Sequence, residues 1–223
     1  MSTEPNITIY AGVSDVMVDL ETLGTRAGCQ IMSIGAVAFT GSHVKDSDID
    51  CTFYCVVNAP TRWQRLKLWL TGRGLFTDPE TLKWWEDKTP EARRVLEQHY
   101  GRMGHDLPQA LRLFNKWLAQ FPGVRVWGNG ADFDNPILIS AYHSAGVPQG
   151  WGNWSGRCYR TLKSLVKGPK LVRRGVHHNA LDDAISQAYH AVALLKQQSG
   201  LDGTATGAFA KLEEPGKWPE SAK

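Results

Sequence analysis

Asp19 and Glu21 stand two positions apart in VMVDLET, a spacing that puts both side chains on one face of an extended strand. Carboxylates so placed are roughly 6.5 Å apart along the backbone. Beside a sheet's core they repel and raise one another's pKa unless a cation sits between them. The plainer explanation is an edge strand with a solvated face. Asp134 heads an apolar helical stripe continued by Leu138, Ala141 and Ala145. An acid there is also favoured by the helix dipole and by capping, and Asp132 competes for the cap. Pro136 leaves that helix's first residue between 132 and 135. The third acidic cluster is HHNALDDA, residues 177–184. Asn179 with Asp182 three residues later reads as a variant capping box, a structural use for Asp182. Asp183 shares a face with Gln187 and His190, and His178 stands just outside the helix. The bland reading is again a solvated helix face. The sharper one places Asp183 in a cleft, with His178 on a mobile loop beside it.

These residues need elements to carry them. Residues 16–20 alternate as a short strand, with Val16, Val18 and Leu20 on the face opposite Asp19. Residues 30–40 and 51–57 form two further strands, joined by a polar turn over 41–50, so the sheet opens as a meander. Asp78 caps a helix with Pro79 at its first position, Pro90 starts another to about Tyr100, and Pro108 a third to about Gln120. A strand at 124–127 precedes the turn Gly128-Asn129-Gly130, a helix to about Ala145 and a Gly/Trp-rich loop over 146–156. Leu181, Ile185, Ala188, Val192 and Leu195 mark a helix from about Ala180 to Gln198. A meander followed by strands mixed with helices predicts an α/β sheet with helices packed on it. Residues 1–14 read as a lead, 15–200 as one domain, and 201–223, with Pro215 and Pro219, as a surface-wrapping or disordered tail.

The three acidic motifs, taken in order, resemble those of the DEDDh family of 3′–5′ exonucleases on the ribonuclease-H-like fold. Asp19 and Glu21 match its D-x-E; Asn129, Phe133 and Asp134 match N-x-x-x-F-D. His178, Ala180, Asp183 and Ala184 match H-x-A-x-x-D-A. The likeness covers roughly residues 15–198, and DPETLKWWEDKTPEARRVL further resembles a small bacterial and phage branch, some of whose members act on RNA. It implies a mixed sheet, antiparallel meander then parallel strands, flanked by helices. It also implies two Mg²⁺ or Mn²⁺ ions, bridged by Asp19, with Glu21 and Asp183 on one and Asp134 reached through water on the other. His178 would be the general base, on a loop that closes when a 3′ end arrives. His177 is adjacent, but spacing to Asp183 selects His178. Backbone groups near Leu23 and Gly24 would meet a 2′-hydroxyl, and Asn129 and Phe133 the strand. The implied reaction releases nucleoside 5′-monophosphates from single-stranded DNA or RNA. The rival is a non-catalytic nucleic-acid-binding module on the same fold, which usually lacks one or more of the acids.

Composition bounds the rest. The 223 residues suffice for one substantial core, and a net charge of +3 is too mild to argue for a polyanionic partner. Its distribution says more: Lys163, Lys167, Lys170, Arg173 and Arg174 fall within twelve residues that contain no acid. That stretch would follow a phosphate backbone. Cys29, Cys51, Cys55 and Cys158 lack zinc-site spacing and read as free thiols in a reducing compartment. No stretch is apolar enough to span a membrane and the start lacks a signal peptide's apolar core, so the expected location is the cytoplasm. Nine tryptophans are many for this length. Trp84, Trp85, Trp151 and Trp154 are candidates for stacking on bases, with one of the adjacent pair in the core. The tryptophan surplus and the resemblance together leave room for a homodimer.

Overall fold

A computed structural model describes residues 8–201. The first seven residues of the expected lead and nearly all of the expected tail lie outside the described residues. Within them, five strands form one mixed sheet: β1 (Asp15–Thr22), β2 (Ile31–Phe39), β3 (Thr52–Val56), β4 (Arg125–Gly128) and β5 (Gly156–Cys158). Their order is β3-β2-β1-β4-β5. β1 pairs antiparallel with β2, and β2 with β3, whereas β4 runs parallel to both β1 and β5. The expected meander followed by parallel strands is therefore what forms.

Seven helices flank this sheet among the described residues: α1 (Arg62–Leu70), α2 (Pro79–Glu86), α3 (Pro90–Gly101), α4 (Leu107–Leu118), α5 (Asp134–Ala145), α6 (Tyr159–Leu165) and α7 (Ala180–Leu201). Val16, Val18 and Leu20 pack with Ile34, Ala36 and Val126 under α4 and α5. On the opposite face Met17, Val37, Phe39 and Trp127 meet Tyr159 of α6 and Ala184, Ala188 and Ala191 of α7. β1 is therefore the middle strand, covered on both sides, and the edge-strand explanation of Asp19 and Glu21 does not hold.

Sequence periodicity misses three elements. β5 and α6 are only three and seven residues long, too short for a repeat to show. α1 is missed for another reason: none of its residues is buried. Its start is fixed by a reciprocal capping box, in which Thr61 accepts from Gln64 N–H and Gln64 Oε1 accepts from Thr61 N–H. Asp132 does not cap α5; Phe133 holds that position without a side-chain bond.

Gly35, on β2 opposite Asp19, decides how close α7 comes. A Cβ there would lie 2.1 Å from Ala180 C and 2.2 Å from Leu181 N. The start of α7 thus rests directly on backbone, which brings its third and fourth residues over β1. Gly35→Ala should push α7 outward and cost about 1–3 kcal/mol in urea unfolding. Gly41→Ala, where a Cβ meets nothing within 4 Å, should stay within about 0.5 kcal/mol of the parent.

Candidate active site

An open cleft of about 520 Å³ lies over the carboxyl-terminal end of β1, walled by α2, the start of α7 and the loop before it. Asp19, Glu21 and Asp183 bring carboxylate oxygens within 4.8 Å of one another. Gln187, one turn beyond Asp183, donates from Nε2 to Asp19 Oδ1 at 2.6 Å. Asp134 is buried beside them, where its oxygens accept N–H bonds from Leu20 (3.2 Å) and Asn129. That carboxylate ties the end of β4 to β1 and so fixes where α5 begins.

The acids are out of ordinary electrostatic balance. Burial, then the charges of Asp134, Glu21 and Asp183, holds Asp19 well above the usual carboxylate range. Burial, then Asp183 and Asp134, does the same to Glu21. Burial pushes Asp134 up to about 6, against the backbone N–H groups of Asn129 and Leu20, which pull it down. Glu21 Oε1 is buried with no hydrogen-bond partner among the described residues. Three converging carboxylates and one orphaned oxygen fit a hard divalent cation, which would satisfy the oxygen and relieve the repulsion. His177, His178 and Asp183 form a second group close enough to share an ion; its two imidazoles make it the softer donor set.

His178 sits at a left-handed φ of 66°, a conformation that is uncommon for a residue with a side chain. Its N–H donates to Asp183 Oδ2 at 2.9 Å. Its ring meets Trp84 and Trp85 edge-on, at 5.0 and 5.8 Å between centroids, and stacks on His177 at 3.7 Å. Burial first, then the neighbouring His177, lowers its pKa, which favours the uncharged imidazole. Trp85 is the core member of the adjacent pair and donates from Nε1 to Thr22 O, while Trp84 stays 42 % exposed in the cleft wall. Asp182 has the structural use expected of it, through a different partner: Oδ2 accepts from Val176 N–H, and Asn179 Oδ1 accepts from Leu181 and Asp182.

The other expected contacts divide. Gly24, Asn129, Phe133 and Arg173 line the cleft. Leu23 does not: its side chain is buried, its N–H donates to Gln30 O, and its carbonyl accepts from Asp78. Lys170 is exposed and outside the cleft lining. Arg174 lies over the Tyr189 ring at 3.7 Å. The basic stretch is therefore no continuous track: Lys163, on α6, and Arg173 reach the cleft while Arg174 is turned away. Of the other tryptophan candidates, Trp151 is buried and Trp154 is exposed away from the cleft. Two residues go unanticipated: Gln187 as the partner of Asp19, and Arg160, which holds Asn129 O from α6 at 2.8 Å. Gln187 was legible as the next turn of Asp183's face; Arg160 carried no signal because α6 was not foreseen.

The strand order, the helices on both faces and acids gathered at the central strand are consistent with a ribonuclease-H-like nuclease. The chain belongs to the 3′-5′ exoribonuclease Rv2179c-like domain family, whose model matches residues 14–195. It is a hydrolase of the 3′–5′ exonuclease kind. No curated protein matches it. Among the described residues no helix is long and apolar enough to cross a membrane.

The acid repulsion predicts a pH signature. Folding raises these pKa values above their unfolded values near 4, so the folded, metal-free protein holds more protons than the unfolded chain. The resulting stability is complete below that range and is lost as pH rises through the raised values, about 6 for Asp134. In EDTA, Asp19→Asn should therefore melt higher than the parent by about 2–4 °C near pH 8, with the difference shrinking steadily towards about pH 4. A parent melting above the variant at pH 8 would contradict this account.

Proposed function

We propose that this protein is a DEDDh-type exonuclease that removes nucleoside 5′-monophosphates from the 3′ end of single-stranded RNA, using divalent cations held by Asp19, Glu21, Asp183 and Asp134. The observation that carries the reading is the convergence of three carboxylates, one with an orphaned buried oxygen, beside the imidazole of His178. Mg²⁺ or Mn²⁺, two ions in all, suit this oxygen-rich set. Bound there, they supply charge neutralisation on the phosphate and lower the pKa of a bound water.

The protein's own groups do the rest. His178 accepts a proton on an imidazole nitrogen from the water that attacks phosphorus. The bond from phosphorus to the 3′-oxygen breaks, leaving a 5′-monophosphate, and the departing 3′-oxygen takes a proton from solvent to become the new 3′-hydroxyl. The aromatic walls of Trp84, Trp85 and His177 fix the ring of His178. Arg173 and Lys163 meet phosphate charge at the cleft edge, and the exposed ring of Trp84 offers a terminal base a stacking surface. RNA is chosen over DNA because the family is described by its action on RNA. Gly24 is the cleft-lining group near which a 2′-hydroxyl would be read.

The catalytic domain is taken as 15–200, between a lead (1–14) and a tail (201–223), in the cytoplasm. A homodimer is part of the same proposal. α1 leaves Trp63 and Trp69 81 % and 74 % exposed together with Leu70, an apolar face of the kind that marks an interaction site. Sedimentation of the parent as a monomer at micromolar concentration would remove the dimer.

The central test uses matched RNA and DNA strands labelled at either end, in Mg²⁺ and Mn²⁺. The parent should shorten RNA stepwise from the 3′ end and stop in excess EDTA. Asp19→Ala should abolish cleavage, and His178→Ala should lower kcat by about 10²–10⁴. A folded Asp19→Ala protein that cleaves at the parental rate refutes the metal site. Equal binding of RNA by parent and variants with no cleavage by any of them would instead identify a binding module.

A further inference from the structure

Asp183 is an expected metal ligand, yet both of its oxygens already have partners. Arg173 Nη1 lies 2.8 Å from Oδ1, and the N–H of His178 lies 2.9 Å from Oδ2. Both partners come from the segment joining α6 to α7. Two more bonds fasten it to the first turns of α7: Arg174 N–H to Ser186 Oγ at 2.8 Å, and Val176 N–H to Asp182 Oδ2 at 2.7 Å. Gly175, at φ +68° against the Asp182 carboxylate, lets the backbone turn there. Only the Arg173 contact is an ion pair, and it brings a positive charge to a cluster of acids.

A guanidinium and a divalent cation compete for Oδ1. A cation bound to that oxygen would stand a few ångströms from Arg173, and like charges at that range repel strongly in a partly buried site. The Arg173 side chain is 50 % exposed, against 11 % for Asp183, so it can leave towards solvent without stranding a buried charge. Arginine also stays protonated at any working pH and carries planar donors that suit a phosphate as well as a carboxylate.

We infer that Arg173 is the internal counter-cation of Asp183 in the metal-free protein and is displaced when a divalent ion loads. Displacement does two things. It frees the guanidinium at the cleft edge, where the strand's phosphate arrives, and it removes one of the fastenings on the segment that carries His178. Metal loading and strand binding are then positively coupled through one side chain. Arg173 is in this sense a positioning residue as well as a phosphate contact. The inference rests on the proposed metal site and fails separately from it.

Three measurements test it on the full chain, with Mn²⁺ as the probe. Without nucleic acid, Arg173→Gln should bind Mn²⁺ about two- to fivefold more tightly than the parent, since a part-exposed competitor has gone. Arg174→Gln, one residue along and on Tyr189, should match the parent. In hydrogen exchange, Mn²⁺ should speed the parent's amides over 172–177, whereas the Arg173→Gln protein should exchange fast there with or without the ion. Finally, Mn²⁺ should raise affinity for an RNA ending in a non-hydrolysed phosphorothioate more in the parent than in Arg173→Gln. Equal Mn²⁺ affinity in parent and Arg173→Gln, with exchange unmoved by the ion, overturns the inference and leaves the metal site standing. Weaker Mn²⁺ binding in Arg173→Gln also overturns it, because Arg173 would then be supporting the site. Absence of Mn²⁺ binding in every protein overturns both.

Discussion

Mutual repulsion among buried carboxylates is the constraint around which this molecule is arranged. Asp19 and Glu21 are on the middle strand of the sheet, at the floor of the cleft, where Glu21 is buried and Asp19 half-buried. Asp183 is then brought over them by a helix that rests on the backbone at Gly35. Each step raises the cost of keeping the acids charged, and their raised pKa values register that cost. Stability is not what this arrangement serves. Sheet pairing and apolar packing on both faces hold the acids together, so that a divalent ion bound there, as proposed, would meet ligands already gathered and relieve their repulsion.

Asp15 shows what the same strand does with an acid that is only structural. It is fully buried, as deep as any carboxylate here, yet Arg125 bonds it from both Nε and Nη2, and Trp127 and Ser14 donate to it as well. Four residues further on, the cluster has an orphaned oxygen on Glu21 and a lone side-chain amide on Asp19. Burial alone therefore does not mark a functional acid. The state of its hydrogen bonds does, because a buried carboxylate without donors stays charged only if something outside the protein satisfies it, and otherwise takes up a proton.

That distinction also explains what could be read beforehand. The strand at Asp19 and the long helix at Asp183 carry strong periodic signals, because each packs an apolar face against the core, and the acids interrupt that pattern visibly. The sheet's meander and the proline-led helices follow from equally local chemistry. The start of α5 was harder: Asp132 and Asp134 are both plausible caps in the sequence. The outcome depends on Leu20 N–H, 114 positions from Asp134. α1 does carry Trp63, Leu66 and Leu70 at helical spacing, but that apolar face meets no core, and α6 is too short to register within a basic run. Its absence hid Arg160 and made Lys163–Arg174 look like one surface, when a helix and a turn point its cations in different directions.

His178 shows how far local sequence determines chemistry and where tertiary structure takes over. Its distance from Asp183 along the chain is local and picks it over His177. Its left-handed backbone is needed to turn its N–H onto that same carboxylate, and a single bond is modest return for the conformation. The remaining support comes from α2, nearly a hundred residues earlier, where Trp84 and Trp85 meet the imidazole edge-on. Trp85 also bonds the carbonyl just after Glu21, so the residue that steadies the imidazole steadies the acid strand too. That indole is thus one contact shared by the imidazole and the acid strand, and it ties the position of α2 to both.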